Sequence, residues 1–275
     1  MIVTEQEIRS ALRSLGLSGR AACVHSSLRS FGRVDGGAQA VVRAFLAEGC
    51  TLLVPTFSSA FEIEPPAHLR FERNGWDYER PHASTRERTE EIYTTDSTEI
   101  DRGDMGAIPA AVVAWPGRVR GGHPTDSFAA VGPRALELVS GQSASDVYAP
   151  LKALACAGGY VLLMGVGFER MTLLHLAEKE AGRVLFRRWA KDERGRPSVI
   201  EAGGCSEGFG RLEPCSSPIT RTAVVGQSTR RLLPADEAVA RAAAAIRADP
   251  SVTHCGVEDC ERCNDAVAGG PVLKH

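Results

Sequence analysis

A histidine close to a carboxylate is the clearest chemical feature of this sequence of 275 residues. His175 lies in the segment Thr172-Leu-Leu-His-Leu-Ala-Glu178, and Glu178 would follow it on the same face of a helix. An imidazole titrates near neutral pH, so this one could take a proton from an ammonium-bearing substrate. The alternative is a histidine satisfied within the core, which the neighbouring leucines favour when the segment is considered alone.

A second polar segment, His25-Ser-Ser-Leu-Arg-Ser-Phe-Gly32, follows an apolar run that begins at Ala21. Its hydroxyls and backbone N–H groups, ahead of a helix that opens near Gly36, could hold a pyrophosphate or an oxyanion. The alternative is a polar turn with serine caps. The glycines match neither the P-loop nor the dinucleotide fingerprint, so the sequence supports neither a nucleoside triphosphatase nor a nicotinamide enzyme.

His123 is the second candidate histidine, in a loop that also carries Thr125, Asp126 and Ser127. A histidine, an aspartate and a serine this close together suggest a hydrolase triad. Triads, however, assemble from separate parts of a fold, and the chain has no Gly-x-Ser-x-Gly elbow. We therefore expect this loop to shape a substrate site or to cap a strand.

The last chemical feature is a cysteine cluster near the C-terminus. Cys255, Cys260 and Cys263, with His254, have the spacing of a partial zinc site. The alternative is a terminal helix that buries one or two thiols, and we favour it, so we expect no bound metal. Any metal here would be structural, since nothing nearby suggests an open catalytic position.

The charges of the chain are balanced and dispersed. Thirty-two basic and 34 acidic residues are intermixed and give a formal net charge of -2, which provides no single-sign field for nucleic acid or an anionic membrane. The sequence shows neither a signal-peptide pattern nor an apolar run of about 18 residues. We expect a cytoplasmic protein with no nucleic-acid or membrane partner, whose eight cysteines are thiols rather than disulfides.

These residues must be positioned by an alternation of strands and helices. Short apolar runs predict strands at 21–25, 51–57, 127–132 and 160–167, and amphipathic or capped patterns predict helices at 2–15, 36–46, 104–115, 133–139, 172–181 and 235–248. The order predicts an α/β fold with a mixed, largely parallel central sheet flanked by helices. Because the helix with His175 follows the strongest strand, its first turns should face the ligand side of the sheet, which weakens the core interpretation.

Two regions depart from this alternation within what we expect to be one domain over residues 1–275. Residues 60–103 mix prolines, charges and aromatic residues without a regular period, which predicts an insertion that acts as a lid or a substrate wall. Residues 183–275 predict a small C-terminal subdomain with a hairpin and an alanine-rich helix.

Several motifs occur in the order and at the separations of a known family. They are Val24-His-Ser-Ser-Leu-Arg-Ser-Phe-Gly with Gly36-Gly-Ala-Gln, Leu53-Val-Pro-Thr-Phe, Asp104-Met-Gly, His123-Pro with Ser127-Phe-Ala-Ala-Val-Gly-Pro, Leu162-Leu-Met-Gly-Val-Gly, and Thr172-Leu-Leu-His-Leu-Ala-Glu. Together, over about residues 4–210, they resemble the aminoglycoside 3-N-acetyltransferase family, also called the antibiotic N-acetyltransferase family.

The resemblance implies a reaction and a set of site residues. Acetyl-coenzyme A would bind near His25, Ser26, Ser27, Leu28, Arg29, Ser30, Phe31 and Gly32 and at the helix start formed by Met105 and Gly106. Thr56, Asp104 and His123 would contact the aminoglycoside. With His175 as the base, assisted by Thr172 and Glu178, the 3-amino group of a deoxystreptamine ring would attack the thioester directly and confer resistance. Thr172 and the amides or hydroxyls of Ser26 and Ser27 would stabilise the oxyanion.

Two departures from the family pattern bear on the site. Met171 stands where members usually carry asparagine, and the acidic residue expected to orient the histidine aligns near Gly203. Glu178, Glu201 or Glu207 could take that role. The alternatives are therefore an N-acetyltransferase of the same fold that acts on a different amine, and a catalytically weakened coenzyme A-binding module. We expect a monomer or a homodimer.

Overall fold

The computed structural model describes residues 2–79 and 88–272. The strands are β1 Ile2–Val3, β2 Ala21–Ser26, β3 Arg33–Val34, β4 Thr51–Pro55, β5 Val119–Arg120, β6 Phe128–Val131, β7 Tyr160–Met164, β8 Phe186–Lys191, β9 Pro197–Ala202, β10 Arg221–Val225 and β11 Ser228–Pro234. The α-helices are α1 Glu5–Ser14, α2 Gly37–Ala47, α3 Arg102–Met105, α4 Ala107–Val113, α5 Ala135–Val139, α6 Ala149–Cys156, α7 Leu173–Glu180, α8 Glu213–Ser216, α9 Ala235–Ala248 and α10 Glu261–Val267. Short 3-10 turns lie at Leu28–Phe31, Ser59–Phe61, Ala67–Leu69, Phe168–Arg170, Phe209–Leu212, Ser217–Ile219 and Pro250–Thr253.

Seven strands form one central sheet in the order β10-β11-β7-β2-β4-β6-β5. β7, β2 and β4 pair in parallel, whereas β11 and β6 run antiparallel to their neighbours on either side. Five of these seven strands therefore point the same way. The predicted α/β fold with a mixed, largely parallel sheet is confirmed.

Both faces of the sheet are covered, as the continuous apolar strands require. Along β7, Val161 and Leu163 face one core, and Leu162 and Met164 face the other. Helices α5, α6, α7 and α9 bury the first face, and α1, α2 and α4 bury the second. Because side chains alternate along a strand, a single run of apolar residues supplies both cores.

The first helix begins as its sequence predicts. The Thr4 hydroxyl accepts the N–H of Glu7 at 3.3 Å, and the Glu7 carboxylate accepts the N–H of Thr4 at 2.7 Å. This reciprocal capping box satisfies two backbone donors that have no partner within the helix.

Three elements differ from the sequence-based expectations. The helix expected over residues 104–115 is two helices, α3 and α4, separated at Gly106, whose φ of +84° breaks the helical path. Helix α6 and the β10–β11 hairpin were not predicted. The hairpin extends the central sheet, and its alternating arginines and exposed residues hide the apolar pattern of a buried strand.

The insertion lies against the β8–β9 hairpin, which forms a separate two-stranded sheet. Ile63 donates to the Trp189 carbonyl at 2.9 Å, and the Trp189 side chain is fully buried beside Trp76. The chain segment after α10 joins the insertion as well, because the Arg73 guanidinium donates to the Gly270 carbonyl at 2.7 Å. Residues 80–87 of the insertion and residues 273–275 lie outside the described residues.

No helix within the described residues is both long enough and apolar enough to cross a membrane.

Candidate active site

A cleft of about 980 Å³ opens at the carboxyl ends of the three parallel strands. Ligands of α/β proteins bind at this edge of the sheet. The lining comprises Val24 to Arg29, Gly32, Val34, Gly37, Pro55, Phe57, Arg102 to Ala107, Pro109, Asp126, Tyr148, Val166, Glu169, Arg170, Thr172, His175, Ala202, Gly203, Gly204 and Ser206. The polar segments that follow β2 and β7 therefore share one cavity, as their positions in the sequence predict.

His175 lies in the first turn of α7 with 7% of its surface exposed. Its Nδ1 is 2.7 Å from Oε2 of Glu178, so the predicted contact on one helical face is present. An ionised carboxylate only accepts hydrogen bonds, so Nδ1 carries the ring proton and donates it to Glu178. The Nε2 lone pair is consequently free to accept a proton on the side of the ring away from Glu178.

Glu178 is itself held by a buried cation. The second carboxylate oxygen is 2.5 Å from Nη1 of Arg183, and both side chains are almost fully buried. Arg183 also donates to the Thr253 hydroxyl at 2.7 Å and to the Pro250 carbonyl. A chain of charged hydrogen bonds thus connects the imidazole of His175 to the segment before the C-terminal cysteines.

The faces of the His175 ring are fixed by aromatic contacts. Tyr148 stacks on it with ring centroids 5.8 Å apart and planes inclined by 7°, and Phe209 packs edge-on at 4.7 Å. Gly203 lies beside Nε2, because a β-carbon there would be 3.0 Å from this atom and would overlap the Tyr148 hydroxyl. The ring can rotate little, and the absence of a side chain at residue 203 leaves space beside Nε2.

The other candidate carboxylates do not reach the imidazole. Glu201 forms ion pairs with Lys179 at 3.1 Å and Arg187 at 3.4 Å. Glu207 is exposed, and no contact joins it to His175 among the described residues. Of the three carboxylates considered from the sequence, Glu178 alone contacts His175 in the part of the chain that is described.

Most residues of the segment from His25 to Gly32, at the end of β2 and just after it, reach the cleft, but two do not. His25, Ser26, Ser27, Leu28, Arg29 and Gly32 line it, together with Met105 and Gly106. Phe31 is instead buried in the core, and Ser30 turns inward to donate to the Ser27 carbonyl at 2.7 Å. The expectation of ligand contact for Ser30 and Phe31 is corrected accordingly. These two residues stabilise the turn, and their neighbours face the cleft.

Two details limit what this segment can donate. The Ser27 N–H donates to the Met164 carbonyl at 3.0 Å, so this amide is not available to an oxyanion. Burial lowers the pKa of His25 to about 4, so that imidazole is neutral at physiological pH. The hydroxyls of Ser26 and Ser27 remain as polar groups of the cleft wall.

Of the three expected substrate contacts, Asp104 lines the cleft and two residues do not. Thr56 is fully buried, and its hydroxyl donates to the Ser127 carbonyl at 2.9 Å. His123 is fully buried as well, with Nε2 donating to the Glu201 carbonyl at 2.8 Å and Nδ1 accepting the Asp126 N–H at 2.9 Å. Thr56 and His123 brace the cleft wall rather than face the cavity.

Asp126 is a carboxylate of the cleft that the sequence did not single out as a ligand. Burial, assisted by the nearby Glu62 carboxylate, raises its pKa to about 7, and Arg188 opposes that shift. The loop of His123 therefore contributes an acid to the site through Asp126. Asp126 lies two residues before β6 and next to the carboxyl end of β4, and this position in the sequence could have identified it as a cleft residue.

Arginines also line the cleft beyond those expected from the sequence. Arg102 and Arg170 join Arg29, and all three are exposed to solvent. Guanidinium groups bind phosphate oxygens through paired hydrogen bonds. The cavity therefore combines cations with the carboxylates of Asp104, Asp126 and Glu169.

Comparison with known proteins gives a family match. Residues 23–247 match the family model described as aminoglycoside 3-N-acetyltransferase. The chain is 34% identical over 184 residues to aminoglycoside N(3)-acetyltransferase IX of Micromonospora chalcea, an alignment that covers 64% of this chain and 62% of that protein. It is 30% identical over 220 residues to the SPbeta prophage-derived aminoglycoside N(3')-acetyltransferase-like protein YokD of Bacillus subtilis (strain 168), covering 76% and 75%.

Solved structures share the fold. The crystal structure of YokD superposes with a TM-score of 0.72 at 27% identity and covers 90% of this chain and all of that one. Aminoglycoside acetyltransferase AAC(3)-IVa superposes with a TM-score of 0.76 at 24% identity over 98% of each chain. A mutant of that second protein has been crystallised in complex with a gentamicin, and also with apramycin.

The raised pKa of Asp126 predicts a pH dependence of stability. Unfolding returns this carboxyl to its ordinary lower pKa, so the folded chain binds more protons and the contribution of the acid to stability is lost as pH rises through about 7. Between about pH 5 and pH 8, the free energy of unfolding of the wild type should therefore fall relative to that of Asp126→Asn. Urea unfolding across this range measures the difference.

Asp192→Asn is the control for this measurement. Hydrogen bonds from the Arg196 backbone and side chain lower the pKa of Asp192, so its difference from the wild type should be flat over the same range. A difference for Asp126→Asn that stays constant or grows with pH would contradict the raised pKa.

Proposed function

The chain belongs to the aminoglycoside 3-N-acetyltransferase family, and on that premise we propose that it acetylates the 3-amino group of the 2-deoxystreptamine ring of aminoglycosides, with acetyl-coenzyme A as donor, and so confers resistance. The aligned region spans about 62% of the length of the first relative given above, so activity and substrate are carried over as proposals. The observation that carries the proposal is the His175–Glu178 pair, whose free nitrogen faces the cleft beside Gly203.

Proton transfer is assigned to Nε2 of His175. The nitrogen takes a proton from the substrate amine as the new C–N bond forms at the thioester carbonyl. The carbon–sulfur bond then breaks, and the departing thiolate takes that proton from the imidazolium to leave as coenzyme A. The imidazolium formed on the way is stabilised through Nδ1–H by the carboxylate of Glu178. Because Arg183 balances that carboxylate, the buried site never holds a lone charge at rest.

Acetyl-coenzyme A is assigned to the wall formed by the segment after β2 and the start of α4. These two segments adjoin, because a β-carbon on Gly106 would lie 3.9 Å from the Ser26 carbonyl oxygen. The exposed guanidiniums of Arg29, Arg102 and Arg170 suit the phosphates of the donor. The hydroxyls of Ser26, Ser27 and Thr172 are the candidates that stabilise the thioester oxyanion, since the Ser27 amide is occupied.

A polycationic acceptor suits the carboxylates of the cleft. Asp104, Asp126 and Glu169 line the cavity. Glu62 interacts electrostatically with Asp126, and one of its oxygens is buried without a hydrogen-bond donor among the described residues. A buried acceptor without a donor is unfavourable, and an ammonium group bound nearby would relieve it and ionise Asp126. These acids support an amine-rich substrate over a neutral one.

The alternative substrate class is an amine other than an aminoglycoside. It is favoured by Gly203, which takes the place of the acidic residue that the family resemblance leads us to expect beside the histidine. A catalytically weakened binding module has less support, because Glu178 supplies the carboxylate contact whose loss motivated that alternative.

A substrate panel tests the proposed function. Purified protein with acetyl-coenzyme A should acetylate gentamicin or apramycin, with the product acetylated at the 3-amino group by NMR. Turnover on other amines alone would replace the proposal with the alternative substrate class. If calorimetry detects coenzyme A binding but no amine is acetylated, the result would instead support the coenzyme A-binding module.

Removal of the base tests the role of His175. His175→Ala should lower kcat by about 10²–10⁴-fold with little change in coenzyme A affinity, because the proton acceptor is lost while the donor wall remains. Stopped-flow or thiol-release kinetics measure the rate, and calorimetry measures the affinity. His68→Ala, at an exposed position of the insertion, is the control. A His175→Ala enzyme with a near-normal rate would assign the base to another group.

Glu178 is proposed as a positioning residue for the base. Glu178→Gln should lower kcat by about 10–10²-fold and leave KM for acetyl-coenzyme A unchanged, because the amide neither fixes the Nδ1–H tautomer nor stabilises the imidazolium. Glu180→Gln, an exposed carboxylate on the same helix, is the matched control. Equal changes in kcat and KM, or a normal kcat, would contradict the role.

A further inference from the structure

Four cysteines from two separate parts of the chain meet at one point outside the cleft. The sulfur atoms of Cys205, Cys255, Cys260 and Cys263 all lie within 4.8 Å of one another. Cys263 is buried, and the other three are half-buried. All four are thiols rather than disulfides.

The sulfur spacing fits a tetrahedral metal. Zinc bound by thiolates at about 2.3 Å places its four sulfurs about 3.8 Å apart, so shifts of at most about 1 Å complete the geometry. The sequence suggested only three of these cysteines and His254 as the fourth ligand. His254 is excluded by its own contacts, since Nε2 lies 3.0 Å from the Asn264 amide oxygen and Nδ1 accepts the Gly256 N–H. Cys205 takes the fourth position from 50 residues earlier in the chain.

A backbone amide donates a hydrogen bond into the sulfur cluster. The Cys255 N–H donates to the Cys263 sulfur at 3.3 Å. A thiol packed in a core for its bulk alone needs no such donor, whereas a metal-bound thiolate is stabilised by one.

The turn after Cys255 requires a glycine. Gly256 has φ of +94°, which folds the chain so that Cys255 and Cys260 face the same point. The Arg211 guanidinium lies beside this turn, because a β-carbon on Gly256 would be 3.4 Å from it. A positive group here offsets the negative charge that four thiolates and one divalent ion would carry.

We infer that Cys205, Cys255, Cys260 and Cys263 form a structural zinc site. Four thiolates favour zinc over harder divalent ions, and four protein ligands leave no open position for catalysis. The bound zinc would hold the segment around Cys205 against the segment from Cys255 to Cys263.

The segments that this site would join are the ones that hold the base. Cys205 follows Gly203 and Gly204 in the cleft wall. Cys255 follows Thr253, whose hydroxyl accepts from Arg183, the partner of Glu178. Gly208 packs so closely on the carbonyl oxygen of Thr253 that no side chain fits between them. Zinc would therefore stabilise both the wall beside His175 and the far end of its hydrogen-bond chain.

Metal analysis of untagged wild-type protein tests the inference without any variant. After exhaustive dialysis, mass spectrometry of the metals should find about one zinc per chain. Protein prepared with cobalt should show the visible bands of tetrahedral thiolate-bound Co²⁺. No stoichiometric metal, iron in place of zinc, or a disulfide between two of the four cysteines in thiol titration would each overturn the assignment.

Serine variants locate the ligands. Cys260→Ser, at a half-buried position, should lose most of the zinc and lower the unfolding midpoint by about 10 °C. Cys156→Ser, at an exposed cysteine outside the cluster, is the matched control and should retain both. Full zinc content in a folded Cys260→Ser protein would overturn the ligand set. These measurements do not depend on acetyl transfer, so the site and the proposed function stand or fall separately.

Discussion

The buried ion pair between Glu178 and Arg183 determines how the rest of the site is built. A carboxylate in the interior is stable only when a cation and further hydrogen bonds compensate for its lost hydration, and Arg183 provides these through Thr253 and Pro250. The same carboxylate also accepts the Nδ1–H of His175 and so fixes one tautomer of the imidazole. The helix α7, the segment after it and the turn before the C-terminal cysteines therefore meet behind the imidazole.

The central sheet forms the part of the cleft that faces His175. Its three parallel central strands end at one edge, so the segments after β2, β4 and β7 arrive together without needing to be close in sequence. Residues that a turn needs for its own hydrogen bonds, such as Ser30, are thereby separated from residues that remain available to a ligand, such as Ser26. The cleft thus combines a rigid base with hydroxyls and exposed arginines that can adapt to a bound molecule.

The sequence was informative wherever a feature is local. The capping box of α1, the apolar strands and the contact between His175 and Glu178 depend on spacings of a few residues, and all were predicted. Burial was not visible, so Thr56 and His123 were assigned to the substrate although both bond within the wall. Long-range partners were also hidden. Nothing near Cys205 in the sequence indicates that it meets Cys263, because the approach of such residues is decided by the fold as a whole.

Gly203 has a consequence for how this protein can change over generations. A single substitution to any larger residue would force a side chain into the Tyr148 hydroxyl and against the imidazole of His175. Replacement of Gly203 by aspartate or glutamate would therefore be tolerated only after Tyr148 is replaced by a smaller residue. A side chain at residue 203 therefore requires a compensating change at residue 148 that removes this overlap.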